Sequence, residues 1–166
     1  MNLDLIRRLL FFAILLLVQA LVLNHIHLFD CATPLLYVYI VLPIRRGHPR
    51  WASLLWCFAM GLGVDMFTNT PGVGAASMTL VGLLQPYLLE LFVSRDSPDD
   101  LQPSFRSLGA AKYSLYSFII VFVYCLAYFS LEAFNFFNWL QWLEYIGGSF
   151  AITYILILTL ENLKRN

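Results

Sequence analysis

Six apolar runs, at about residues 5–23, 29–44, 51–67, 75–93, 113–131 and 144–160, fill most of this 166-residue chain. Each is ended by charges, prolines or glycines, and all but one approach the ~20 residues that a helix needs to cross a hydrocarbon layer. In lipid every backbone N–H and C=O must be satisfied within the protein, so unbroken apolar runs of this length fold as helices. The exception is 29–44, which is short and holds Pro34 and Pro43. Taken alone it reads either as a sixth span or as a re-entrant or interfacial piece.

The cations choose between these readings. Arg7, Arg8, Arg45, Arg46, Arg50, Arg95, Arg106, Lys112, Lys164 and Arg165 are all the Lys and Arg in the chain. If six runs cross, all ten fall on one face, and the opposite connections (24–31, 68–74, 132–143) carry only the acids Asp30 and Glu132. Omitting 29–44 would split them eight to two. Because basic loops stay on the cytoplasmic side, the pattern predicts six spans, both termini cytoplasmic, in one polytopic domain over residues 1–166. Arg7 and Arg8 ahead of an apolar run also resemble a secretory signal, but no small-x-small cleavage site follows, so the run reads as an uncleaved first helix. With 60% apolar and 12% charged residues, against ~45–50% and ~25% for soluble domains, a soluble monomer is excluded. Ten cations balanced by ten acids leave a formal charge of zero, which argues against nucleic acid as a partner.

Little in the chain suggests catalysis or metal binding. Cys31, Cys57 and Cys125 lack C-x-x-C spacing, and His25 and His27 would point ~200° apart on a helix with no third ligand nearby. No serine-hydrolase elbow, zinc-protease signature or phosphate-binding glycine loop occurs. The expectation is a protein without cofactor, metal or enzymatic activity. Glu90 reads as a structural acid pairing with Arg95. The polar stretch 96–109 reads as a mobile, solvated connector, with docking of a cytoplasmic partner as the alternative.

The informative stretch joins the third run to the fourth: Gly61, Gly63, Asp65, Pro71, Gly72 and Gly74 punctuate it. At ~100° per residue Cys57, Gly61 and Asp65 fall within ~80° of one another, and Gly74, Ser77, Val81 and Gln85 share a face on the next helix. Small residues on facing sides predict a tight helical hairpin. Asp65, at the negative end of its own helix dipole, needs donors, and the backbone N–H groups of 68–74 with the N-terminus of the next helix are the simplest source. Two roles stay open: an acid that pins the reversal, or one that lines an outward-facing cavity for a partner or small molecule. Tyr113, Ser117, Tyr124 and Tyr128 lie within ~60° on the fifth run and read as a hydroxyl-bearing packing stripe.

Six spans, cytoplasmic termini and the Gly61-x-Gly63-x-Asp65…Pro71-Gly72-x-Gly74 hairpin resemble the MreD family of bacterial rod shape-determining membrane proteins. That resemblance covers nearly the whole chain. It implies a multi-pass inner-membrane, non-enzymatic subunit of the cell-elongation complex. The subunit would bind MreC and, through it, meet a class B penicillin-binding transpeptidase, the glycosyltransferase RodA and MreB filaments. It also implies a fold similar to the six-helix S components of energy-coupling-factor vitamin transporters, whose outward pocket supplies the rival function. On either reading Gly61, Gly63, Asp65, Pro71, Gly72, Gly74, Ser77 and Gln85 are the residues expected to line a partner surface or cavity.

Overall fold

In the computed structural model, which describes residues 3–21, 34–94, 97–98, 100–133 and 139–165, the chain is helical, with no strand among those residues. The helices are α1 (Leu3–Leu21), α2 (Arg50–Thr68), α3 (Val73–Phe92), α4 (Phe105–Leu108), α5 (Ala110–Ala133) and α6 (Trp139–Arg165), with a short 3₁₀ segment at Leu36–Ile40. Four of them, α2, α3, α5 and α6, are long and apolar enough to cross a membrane, and α1 adds a shorter apolar stretch, Leu9–Leu21. Five of the six apolar runs are therefore α-helices close to where the sequence puts them. The sixth α-helix is not the remaining run but α4, a four-residue turn in the polar loop.

The described part of the 29–44 run departs from a regular spanning helix. Residues 34–44 form the 3₁₀ turn and then a hydrogen-bonded turn at 41–43. Pro34 and Pro43 lack the N–H an α-helix needs, and proline disfavours helical geometry in the residue before it. The segment is nonetheless the centre of the bundle: Tyr37, Val38, Val41 and Leu42 are fully buried. Its backbone is bonded by side chains from the helices around it. Gln19 of α1 donates to Pro34 O at 2.9 Å and accepts from Leu36 N–H at 3.0 Å. Leu35 N–H donates to Thr153 Oγ1 of α6 at 2.9 Å, and Gln85 of α3 donates to Ile44 O at 3.3 Å. Irregular backbone at membrane depth is tolerated under this condition, enclosed by protein with its polar groups satisfied.

Contacts fix the directions of the elements. Phe12 packs on Trp56 with ring centroids 5.5 Å apart, and Leu16 lies beside Gly63, so α1 and α2 run parallel. Along residues 34–39 the neighbours on α1 run backwards, from Gln19 at Pro34 to Phe11 at Tyr39. The segment thus returns the chain to the end from which α1 set out. There Arg46 N–H donates to Leu101 O at 3.2 Å. The hairpin α2–α3 and the pair α5–α6 are antiparallel, shown by Cys57 beside Gly82 and by Phe118 against Phe150 and Phe129 against Tyr145. Arg45, Arg46, Arg50, Arg106, Lys112 and Lys164 accordingly share one end, called here the basic end.

Half of the described residues of the polar stretch 96–109 are exposed, as expected of a solvated connector, but a few residues anchor it. Its described residues fold back on the bundle: Pro103 is buried, Ser104 and Ser107 cap α4 reciprocally, and Phe105 packs on Tyr113 at 4.9 Å. Cys57 and Cys125 are buried free thiols. His25, His27, Cys31 and Arg95 lie outside the described residues.

Replacing Gln19 with Leu leaves a buried carbonyl and a buried N–H without their partner, a loss of about 2–4 kcal/mol. The thermal unfolding midpoint of detergent-purified Gln19→Leu is expected well below wild type. Leu17→Ala, two residues away on the other face of α1 and 49% exposed, is expected to change it little.

Candidate functional site

Asp65 sits in the last turn of α2 with 5% of its surface exposed. Its Oδ1 accepts from Gly74 N–H at 2.8 Å and from Thr70 Oγ1 at 3.4 Å; its Oδ2 accepts from Ala75 N–H at 2.9 Å and Gly72 N–H at 3.1 Å. The backbone donors belong to the first turn of α3 and the residue before it, whose N–H groups have no acceptor within their own helix. The carboxylate replaces those acceptors and places a negative charge at the positive pole of the α3 dipole, offsetting the unfavourable pole of its own helix. Thr68 Oγ1 donates to Val64 O at 3.1 Å and is bonded to Thr70 Oγ1 at 2.7 Å.

The glycines explain how the carboxylate reaches so far. A Cβ on Gly61 would lie 2.5 Å from both Ala75 Cα and Gly74 O, so the two helix backbones touch there. A Cβ on Gly74 would lie 2.5 Å from Asp65 Oδ1. Gly72 turns the chain at φ +89°, and Asn69 closes α2 at φ +58°, a left-handed conformation that glycine, and less often asparagine, adopts readily. The hairpin foreseen from the spacing is thus a unit in which close approach, turn and charge depend on one another.

This geometry redistributes the expected site residues. Gly61, Asp65, Gly74, Ser77 and Gln85 are buried, and their contacts are internal: Ser77 bonds Val73 O at 2.8 Å, while Gln85 donates to Tyr116 Oη at 2.9 Å as well as to Ile44 O. Gly63 packs on Leu16 of α1. Pro71 and Gly72 are exposed at the tip. Tyr113, Ser117, Tyr124 and Tyr128 are all buried, and Tyr124 Oη is hydrogen-bonded to Tyr37 Oη. Sequence reasoning missed the residues that serve the 34–44 segment: Gln19, Thr153, Tyr116 and the buried pair in which Tyr39 Oη donates to Glu161 Oε2 at 2.6 Å. The available signal was a polar side chain inside or at the end of an apolar run, which rarely occurs without a partner.

Asp65 lines neither of two cavities at the basic end. One, of about 320 Å³, lies between α1, the 3₁₀ segment and α2, and the other, of about 200 Å³, lies beside α4 and the end of α6. No protein-family model, curated protein or solved structure matches the chain. The site's chemistry must therefore be taken from its own geometry: a carboxylate whose lone pairs are already engaged by four donors is an anchor, poorly suited to taking a proton from a substrate.

Gly61→Ala is expected to force α2 and α3 apart and to lower the unfolding midpoint sharply, whereas Gly147→Ala, where an added Cβ meets nothing within 4 Å, is expected to be neutral or slightly stabilising. Asp65→Asn presents an N–H₂ to backbone donors and is expected to cost about 3 kcal/mol, read by the same unfolding measurement.

Proposed function

We propose that this protein is a non-enzymatic scaffold of the bacterial inner membrane, multi-pass with both termini in the cytoplasm. It binds the single-span protein MreC and through it positions the peptidoglycan synthases of the cell-elongation complex. The observation that carries this reading is the α2–α3 hairpin: the residues that resemble the MreD family, Gly61-x-Gly63-x-Asp65…Pro71-Gly72-x-Gly74, form one locked unit that holds an exposed tip in a fixed position. Association of helices in lipid rests on close van der Waals packing and interhelical hydrogen bonds, so a rigid surface loses less on docking than a mobile one. Gly61 acts in this reading from inside, by holding the hairpin together. The partner's surface consists of the exposed side chains around the tip, among them Met66 at 78% and Phe67 at 57% exposure, with Pro71 and Gly72. The engaged state of the Asp65 carboxylate supports a binding role over hydrolysis or solute capture.

Photo-crosslinking groups placed at Met66, Phe67 or Pro71 in native membranes are expected to trap MreC, while the same group at Leu163, at the opposite end of the bundle and 68% exposed, traps none at comparable yield. A tightly retained vitamin-like solute after mild purification, with no MreC adduct from the tip, would instead favour the transporter S component.

A further inference from the structure

The larger cavity at the basic end has the chemistry of an amphiphile site. Its volume of about 320 Å³ lies within the ~300–1,000 Å³ typical of small-molecule sites. Phe11, Ile44 and Trp56 supply apolar wall, while Arg45, His48 and Lys164 bring cationic or protonatable groups to the same lining. Phe11 is 39% exposed on α1, so the cavity borders the surface that the helix turns to the bilayer. Lys164 stands at the end of α6 and Arg45 and His48 in the loop before α2, which puts the three side chains at headgroup level when the helices span.

The charges around this rim leave room for an anion. Arg45 Nη1 is paired with Asp100 Oδ1 at 2.8 Å, but the side chains are 39% and 80% exposed, and an exposed pair of that kind contributes little and yields readily to a competing anion. His48 Nδ1 lies 3.0 Å from Ser53 Oγ. Lys164 makes no ion pair among the described residues. Glu161 lines the adjoining cavity and is bonded by Tyr39. Basic pockets between transmembrane helices on the cytoplasmic side suit anionic lipid headgroups. A free anion would meet the charges but leave the apolar walls unfilled, and a zwitterionic lipid would bring its own cation to the rim.

We propose that this cavity holds an anionic phospholipid of the adjacent leaflet, its phosphate at Arg45, His48 and Lys164 and the first part of one acyl chain against Phe11, Ile44 and Trp56. Bound there, the lipid ties α1, the end of the 34–44 segment and α6 together. The site is independent of the hairpin and of any MreC contact.

Native mass spectrometry of the full chain in mild detergent, titrated with phosphatidylglycerol, phosphatidylcholine or inorganic phosphate, tests it. One phosphatidylglycerol per chain is expected to survive activation that removes phosphatidylcholine. The double variant Arg45→Gln/Lys164→Gln should bind it about fivefold or more weakly, and Arg50→Gln/Lys112→Gln, two cations of the same end that do not line the cavity, should bind as wild type. Equal retention of the two lipids, equal weakening in both double variants, or equal binding of phosphate alone would overturn the proposal. A second measurement needs no charge removal: with Trp51, Trp139 and Trp142 changed to Phe, the fluorescence of Trp56 in vesicles should be quenched more by acyl-brominated phosphatidylglycerol than by acyl-brominated phosphatidylcholine. Equal quenching would likewise count against it.

Discussion

Residues 34–44 cross the interior of the bundle without forming an α-helix, and the rest of the structure is arranged so that this is possible. A backbone in that state bonds itself only in part, through 3₁₀-type bonds such as Val41 N–H to Val38 O at 3.0 Å, and in a bilayer there is no water to satisfy the groups left over. Gln19, Gln85 and Thr153, drawn from three different helices, provide the replacement. Each must therefore sit at a fixed height on its helix, which sets how α1, α3 and α6 are staggered around the segment. Tyr37 and Tyr39 extend the same network outward, to Tyr124 on α5 and Glu161 on α6. A polar centre of this kind fixes one packing among the many that apolar helices could adopt in lipid, where hydrophobic burial discriminates little.

The α2–α3 hairpin solves the opposite problem at the other end. Here the backbones come into contact because Gly61 and Gly74 have no side chain, and the N–H groups of Gly72, Gly74 and Ala75 at the start of α3 converge on Asp65. The charge is held where a helix dipole favours it, so the acid contributes to the fold. What remains exposed is the tip and the apolar faces beside it. The two ends of the molecule thus differ in kind, one closed by an internal carboxylate and the other open to cavities bordered by cations.

The helical runs were legible because apolar length is a local property, and α2, α3, α5 and α6 lie within a few residues of where the sequence put them. The partners of Asp65 were legible for a related reason: dipole and capping arguments act over one turn, and Gly72 and Gly74 are only a few residues away. The shape of 34–44 was not. Pro34 and Pro43 announced trouble, but the groups that make an irregular path tolerable lie far off in the chain, Thr153 being 118 residues from Leu35. The polar loop was legible in part for a similar reason: its composition speaks of solvent, where half of its described residues sit, while the contacts by which Pro103, Phe105 and Leu108 tie it to the core lie outside the loop. The four residues of the α5 stripe are buried, and the bond of Tyr124 to Tyr37 reaches a partner that the spacing within the fifth run could not name.

All of this depends on the 34–44 segment bringing the chain back to the side where α1 begins. In a variant stripped of Cys31, Cys57 and Cys125, single cysteines at Leu3, Gly47 and Asn69 can be tested with a membrane-impermeant thiol reagent in sealed vesicles of known orientation. The account predicts that Leu3 and Gly47 react from the same side and Asn69 from the other. Labelling of Leu3 and Gly47 from opposite sides would mean that the segment does not return, and would contradict the architecture described above.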